Sequence, residues 1–242
     1  MPTTLLTKER TELPFVPAES QRSSCRIHAE DGDWFLTLRH AQIRFHPEDR
    51  LILMYGHPLV SRLGLYAAGE RVLAGESIVY LDGAHTFDPF FIGRMARAHR
   101  RQPRALLSMI HVARAFSCYQ LERLISNCLL SALERYQSRI AILSGLFDTS
   151  CDEGGSEHEP MRLFGRMVDA SHKLVQQGFT LMLLCPQAPM LTRMGRRCLD
   201  QTRGQADRAI RVEEAHGLVT LHDEGEKTGQ QWEFPRTVLD LS

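Results

Sequence analysis

The residues best placed to do chemistry lie between Leu51 and Asp88. An apolar run, Leu51 to Tyr55, reads as a buried strand, and Gly56-His57-Pro58-Leu59-Val60-Ser61-Arg62-Leu63 turns from it into a helical pattern. A second apolar run, Ser77 to Leu81, ends at Asp82. Strand, loop, helix, strand is the frame that holds a phosphate when the loop reads G-x-x-x-x-G-K-[ST]. There the second glycine lets backbone amides approach the phosphate, the lysine reaches the terminal phosphates and the hydroxyl holds magnesium. Here Gly56 is kept, but Ser61 stands in place of glycine, Arg62 of lysine and Leu63 of the hydroxyl residue. Arg62 keeps a guanidinium able to meet phosphate, with a bulk and geometry unlike those of lysine. Leu63 cannot ligate magnesium, and Pro58 removes an amide donor from the cradle. The frame is present and its chemistry is not.

Other reactive side chains form no second constellation. His57, His85, His111, His158 and His172 are scattered, and no Ser-His-Asp or Cys-His order emerges; His57 and His85 are the best placed for a different enzyme grafted on the frame. Six cysteines, Cys25, Cys118, Cys128, Cys151, Cys185 and Cys198, contain no C-x-x-C pair, so no zinc site is expected and packed, reduced thiols are. Asp148 to Pro160 is acidic, but Asp148, Asp152, Glu153, Glu157 and His158 lack cation-ligand spacing and read as an exposed loop. No metal is expected.

The elements that position these residues alternate. Residues 1–24 have no period and read as a flexible arm. From Cys25 the pattern Trp34, Leu36, Leu38, Ile43, Phe45 predicts a β-hairpin turning at Asp31-Gly32-Asp33 and leading in over residues 25–48. Asp88-Pro89 caps a helix through about Arg101, whose Arg94, Arg97, Arg100, Arg101 and the following Arg104 read as a solvated face. A strand over Met109–Ala113, a helix over Phe116–Gln137, a strand over Ile140–Ser144, a helix over Met161–Gln177 and a strand over Phe179–Cys185 follow. Met190 to Arg211 is locally basic, and short strands over Ile210–Val212, Gly217–His222 and Trp232–Leu241 suit a small antiparallel extension over residues 190–242. Nearly all-apolar strands between helices predict an α/β fold with a mostly parallel sheet covered on both faces, with its core at residues 49–189.

Bulk properties narrow the function. The 242 residues suit one domain, and 29 basic against 29 acidic residues weaken any case for nucleic-acid binding by the whole surface. No apolar run reaches the roughly 20 residues that span a bilayer. MPTTLLTKERTEL has no apolar secretory core, so a cytoplasmic protein is expected.

In four places the sequence resembles the core ATPase domain of RecA and its recombinase relatives, over about Asp49 to Gln187. These are the Gly56–Leu63 loop; Tyr80-Leu81-Asp82-Gly83-Ala84-His85-Thr86-Phe87-Asp88-Pro89; Ala113-Arg114-Ala115-Phe116 followed by Gln120; and Cys185-Pro186-Gln187. The resemblance implies a RecA-like fold and places the family's catalytic glutamate at Ala84, which cannot take a proton. It places the magnesium-holding aspartate at Ser144, where the strand ends without a carboxylate. Gln187 matches the glutamine that senses the γ-phosphate.

The resemblance therefore implies a pseudo-ATPase without catalytic residues or cofactor: a recombinase-paralogue type of accessory subunit in DNA recombination or repair. It would act through protein contacts with a recombinase, a paralogue subunit or a second copy, and not with a membrane. Arg193, Arg196, Arg197, Arg203 and Arg208 lie where the family carries its second DNA-binding loop and are the DNA-contact candidates. The competing expectation is a regulatory or assembly protein that uses the fold as a binding module, with a nucleotide held through Arg62 without magnesium as its variant.

Overall fold

The computed structural model describes residues 33–38, 41–147, 158–186, 188–225 and 229–240. The expected arm over residues 1–24, the turn residues Asp31 and Gly32, and the acidic loop at 148–157 lie outside the described residues. A hairpin, β1 (Trp34–Leu38) and β2 (Ala41–Phe45), pairs Trp34 with Phe45 and closes at Leu38 opposite Ala41. The two strands thus join between Leu38 and Ala41. Trp34 stacks on Phe45 with ring centroids 4.1 Å apart.

The main sheet has eight strands: β3 (Leu51–Gly56), β4 (Ile78–Asp82), β5 (Ile110–Arg114), β6 (Ile140–Ser144), β7 (Thr180–Cys185), β8 (Arg208–Ala215), β9 (Leu218–Asp223) and β10 (Gln231–Pro235). Their order is β10-β9-β8-β3-β7-β6-β4-β5, parallel from β8 to β5 and antiparallel through β9 and β10. β3, β4, β6 and β7 are buried at every position, as a sheet covered on both faces demands. Side chains alternate between two cores. Ile52, Met54, Ile78, Tyr80 and Ile142 face the hairpin and helices α1 (Leu59–Leu73), α2 (Pro89–Ala98) and α3 (Pro103–Leu107). Leu53, Tyr55, Val79, Leu81 and Leu143 face α4 (Cys118–Arg123), α5 (Leu129–Arg135), α6 (His158–Gln176) and α7 (Arg193–Gln205).

Local chemistry explains most element ends. Asp88 accepts from Phe90 N at 2.9 Å and Pro89 opens α2, as its capping sequence predicts. α2 stops at Ala98, earlier than expected, and Pro103 starts a separate helix. Gly178 takes φ +90° after α6, the left-handed end that glycine adopts without strain. The helix expected over Phe116–Gln137 is α4 and α5 joined by a π turn at Leu124–Cys128. Cys118 is disulfide-bonded, against the expectation of reduced thiols, whereas Cys128 and Cys198 keep their thiols. No described helix is long and apolar enough to cross a membrane.

Arg208 ties the hairpin to the far side of the sheet. Its guanidinium is 7% exposed and donates to Asp223 at 2.8 and 3.1 Å, to Asp49 at 3.2 Å and to the Arg44 carbonyl, while lying 4.9 Å over the Phe45 ring. Removing one partner of a buried ion pair leaves the other charges stranded. Arg208→Ala should therefore lower the unfolding free energy by about 3–5 kcal/mol in urea denaturation. A second prediction concerns His111 on β5, which stacks on Tyr136 at 3.6 Å. Burial first, then the Arg135 charge, lower its pKa to about 4. The unfolded chain, with an ordinary histidine, binds the extra proton first, so this contribution is complete above about pH 6.5 and drains away as pH falls toward 4. His111→Phe, keeping the stack, should flatten the pH dependence of the melting temperature across that window.

Candidate functional site

The site residues gather at the carboxyl ends of β3, β4 and β6, where ligands bind in open parallel sheets. At β3 only His57 and Pro58 separate the strand from α1. The donors that a phosphate would need are already used. His57 N–H donates to the Val212 carbonyl at 3.0 Å, Val60 N–H to the His57 carbonyl at 2.9 Å and Ser61 N–H to the Pro58 carbonyl at 3.2 Å. Leu59 N–H donates to His57 Nδ1 at 3.3 Å, which places the ring proton on Nε2, 3.8 Å from Glu214 Oε2. A histidine caps the helix where an anion would sit, and a carboxylate faces it.

Gly56 is kept for a reason other than phosphate approach. Its φ is +121°, and a Cβ there would lie 2.3 Å from the Val212 carbonyl oxygen, because β8 runs alongside β3 to its last residue. The three replaced positions fall inside α1. Ser61 Oγ is buried with no hydrogen-bond partner, Arg62 lies 4.8 Å over the Phe91 ring, and Leu63 is fully buried in the core. They pack α1 against α2 and the sheet.

At the end of β4 the polar centre is Asp82, 0% exposed. Its carboxylate accepts from Thr86 N–H at 2.9 Å, Phe87 N–H at 3.2 Å and the Ser144 hydroxyl at 3.1 Å, and Arg114 Nε lies 3.3 Å away. Ser144 is thus not an idle replacement: its hydroxyl orients the buried carboxylate. Gly83 N–H donates to the Ser144 carbonyl at 2.9 Å, and a Cβ on Gly145 would lie 2.4 Å from Ala84 N. The Ala84 turn is packed onto the end of β6. Tyr80 keeps its hydroxyl buried and unpartnered there, and burial, then the Asp82 charge, push its pKa upward. The Asp82 carboxylate is consumed by structure and is not free to activate water.

The remaining sequence candidates separate. Gln187, Asp148 and the His158 side chain lie outside the described residues. His85 takes φ +54° and sets its ring 4.8 Å from Phe116. Among the described residues no group of three metal-binding side chains forms. The basic segment is helix α7, to which the sequence reading gave no element. Its Arg193, Arg196 and Arg197 are exposed behind the Thr192 N-cap. Arg203 instead reaches Tyr55 Oη at 3.4 Å and lies 3.9 Å from Glu224. Tyr55 donates to Glu224 at 2.6 Å; burial, then this bond, raise its pKa to about 12. Arg208 is spent on Asp49 and Asp223, which removes it from the DNA-contact candidates.

No protein-family model and no curated protein matches the chain. Among solved structures, the RadB recombinase crystal structure superposes with a TM-score of 0.61, covering 79% of this chain and 89% of that one at 13% identity.

The fold is RecA-like.

Within the RecA-like fold, sequence reasoning missed two features. The Asp82–Ser144–Arg114 cluster was signalled only by a carboxylate ending an all-apolar strand. The exposed Phe90, Phe116, Tyr119 and Met190 all follow carboxyl ends of parallel strands, and their exposure had no sequence signal. Asp82→Ala strips an acceptor from two buried amides and a hydroxyl. It should cost about 2–4 kcal/mol by chemical denaturation, the mark of a structural carboxylate.

Proposed function

We propose that this chain is a non-hydrolysing RecA-like subunit that works through protein contacts in DNA recombination or repair. The observation that carries the reading is the closed β3–α1 turn. Its amides are satisfied by His57, Pro58 and Val212, and the Ser61, Arg62 and Leu63 side chains point into packing roles. Ala84 and Ser144 leave no base and no magnesium ligand at the two strand ends, and the one carboxylate between them is saturated. The likeness to a solved recombinase supports the process named.

Two further features favour protein contacts. Among the described residues β5 pairs with β4 alone, and an edge strand of this kind is where a partner's strand can add. Phe116 and Tyr119, just beyond that strand, are 75% and 53% exposed, and large exposed aromatics mark interaction surfaces more than free ones. A regulatory or assembly module is the second reading, favoured by the same aromatics; the identity of the co-purifying partner, recombinase or otherwise, separates the two.

The test is nucleotide binding and turnover. Fluorescent ATP analogues titrated with and without magnesium should show no magnesium-dependent binding, and phosphate release should stay at the no-enzyme rate. Magnesium-stimulated hydrolysis that survives further purification would sink the proposal.

A further inference from the structure

The arginines that follow β4 have no part in that role. Between Pro89 and Leu121 the chain has no Asp or Glu but six arginines, in a protein of zero net charge. Because α2 ends at Ala98 and α3 begins at Pro103, Arg97, Arg100, Arg101 and Arg104 surround one helix–turn–helix corner instead of lining a helix face. All four are exposed. Arg94, one turn earlier, lies 3.7 Å from Asp88, but no described carboxylate pairs with these four. Glu70 of α1 faces His99 at the corner, and burial raises its pKa, which weakens its hold as a counter-charge.

The position of the corner sets it apart from the candidate site. The chain leaves α3 straight into β5, and the Met109 carbonyl accepts from Ile78 N–H at 2.8 Å where β4 begins. The arginines therefore stand at the amino ends of the parallel strands, at the opposite pole from Gly56, Asp82 and Ser144. The α2 dipole accounts for Arg97 in its last turn, but α3 is a single turn of five residues and gives Arg104 no comparable partner. Arg100 takes φ +55°, a left-handed position at which glycine is free of steric cost. The chain keeps a charge where its backbone favours none.

We infer that this corner docks the phosphate backbone of a nucleic-acid duplex. Four cations without counter-charges repel one another, and a regular polyanion relieves that repulsion while releasing its own counterions. The exposed residues among them are Ala98, His99, Gln102 and Ala105. A membrane-bound segment needs large apolar side chains to insert, and Phe90, the exposed one on α2, lies at the far end of that helix. Single-strand binding needs a row of aromatic platforms, and the corner offers the His99 imidazole, facing Glu70, with no Phe, Tyr or Trp beside it. What is left is contact with a helical backbone, indifferent to sequence.

The test is fluorescence anisotropy with a labelled random-sequence DNA duplex over a salt series, on the full chain. The variant is Arg100→Gly with Arg101→Ala, because glycine suits φ +55° and the fold should be kept, as an unchanged melting temperature verifies. We expect at least about a tenfold loss of affinity and a log–log salt slope smaller by about two, one unit per lost phosphate contact. Arg97→Glu with Arg104→Glu should abolish binding, whereas Arg196→Ala with Arg197→Ala, at the other pole, should leave that slope change absent. Unchanged duplex binding in the first two variants overturns the inference, as does binding to phosphatidylserine vesicles in place of duplex. Nucleotide turnover is read separately, so loss of either conclusion leaves the other standing.

Discussion

The pairing of β8 with β3 constrains both ends of this molecule. It runs in parallel register from Ile52 opposite Arg208 to Gly56 opposite Val212. At its start it brings Arg208 beneath the hairpin, where one guanidinium bridges Asp49 and Asp223. At its finish it brings the Val212 carbonyl against Gly56 and His57, at the place where a phosphate-binding turn would otherwise open. A buried charge cluster thus sets the depth to which β8 inserts, and that depth decides how much room the β3–α1 turn retains.

The charges divide along the same lines. Carboxylates at the centre of the structure are saturated: Asp82 by two amides, a hydroxyl and Arg114, and Asp223 by Arg208 and the Gly225 amide. Saturation makes them strong architectural elements, since a carboxylate whose oxygens already accept from several donors has few lone pairs left for a ligand. The arginines are distributed unequally. Some are drawn into these clusters or onto aromatic rings, as Arg62 is on Phe91, while others at the strand poles find no carboxylate among the described residues. A chain of zero net charge can therefore still present locally positive surface.

The sheet was legible in the sequence because its central strands are apolar on both faces, so Leu51–Tyr55, Ile140–Ser144 and Phe179–Cys185 announce themselves to within a residue. Helix α7 did not, because its buried stripe is Gly195, Cys198, Leu199 and Thr202, too weak in hydropathy to carry a period. That Arg62, Leu63 and Ala84 stand where the motif would have lysine, a hydroxyl and glutamate could be read position by position. That the turn is shut could not, since it depends on a contact between residues 57 and 212. Arg208 was grouped with its basic neighbours for the same reason: its partner Asp49 lies 159 positions away.

The early start of α1 has an energetic consequence. Placing lysine at Arg62 and threonine at Leu63 would not by itself make a phosphate site, because both positions are already wound into the helix. The first turn of α1 would have to unwind, exposing Val60 and Leu63, each fully buried and each worth about 1.5–3 kcal/mol of burial. β8 would also have to withdraw from Gly56. The closed turn is therefore held at several positions at once, by the helix that starts early and by the strand laid against it, and no exchange at one of them alone frees it.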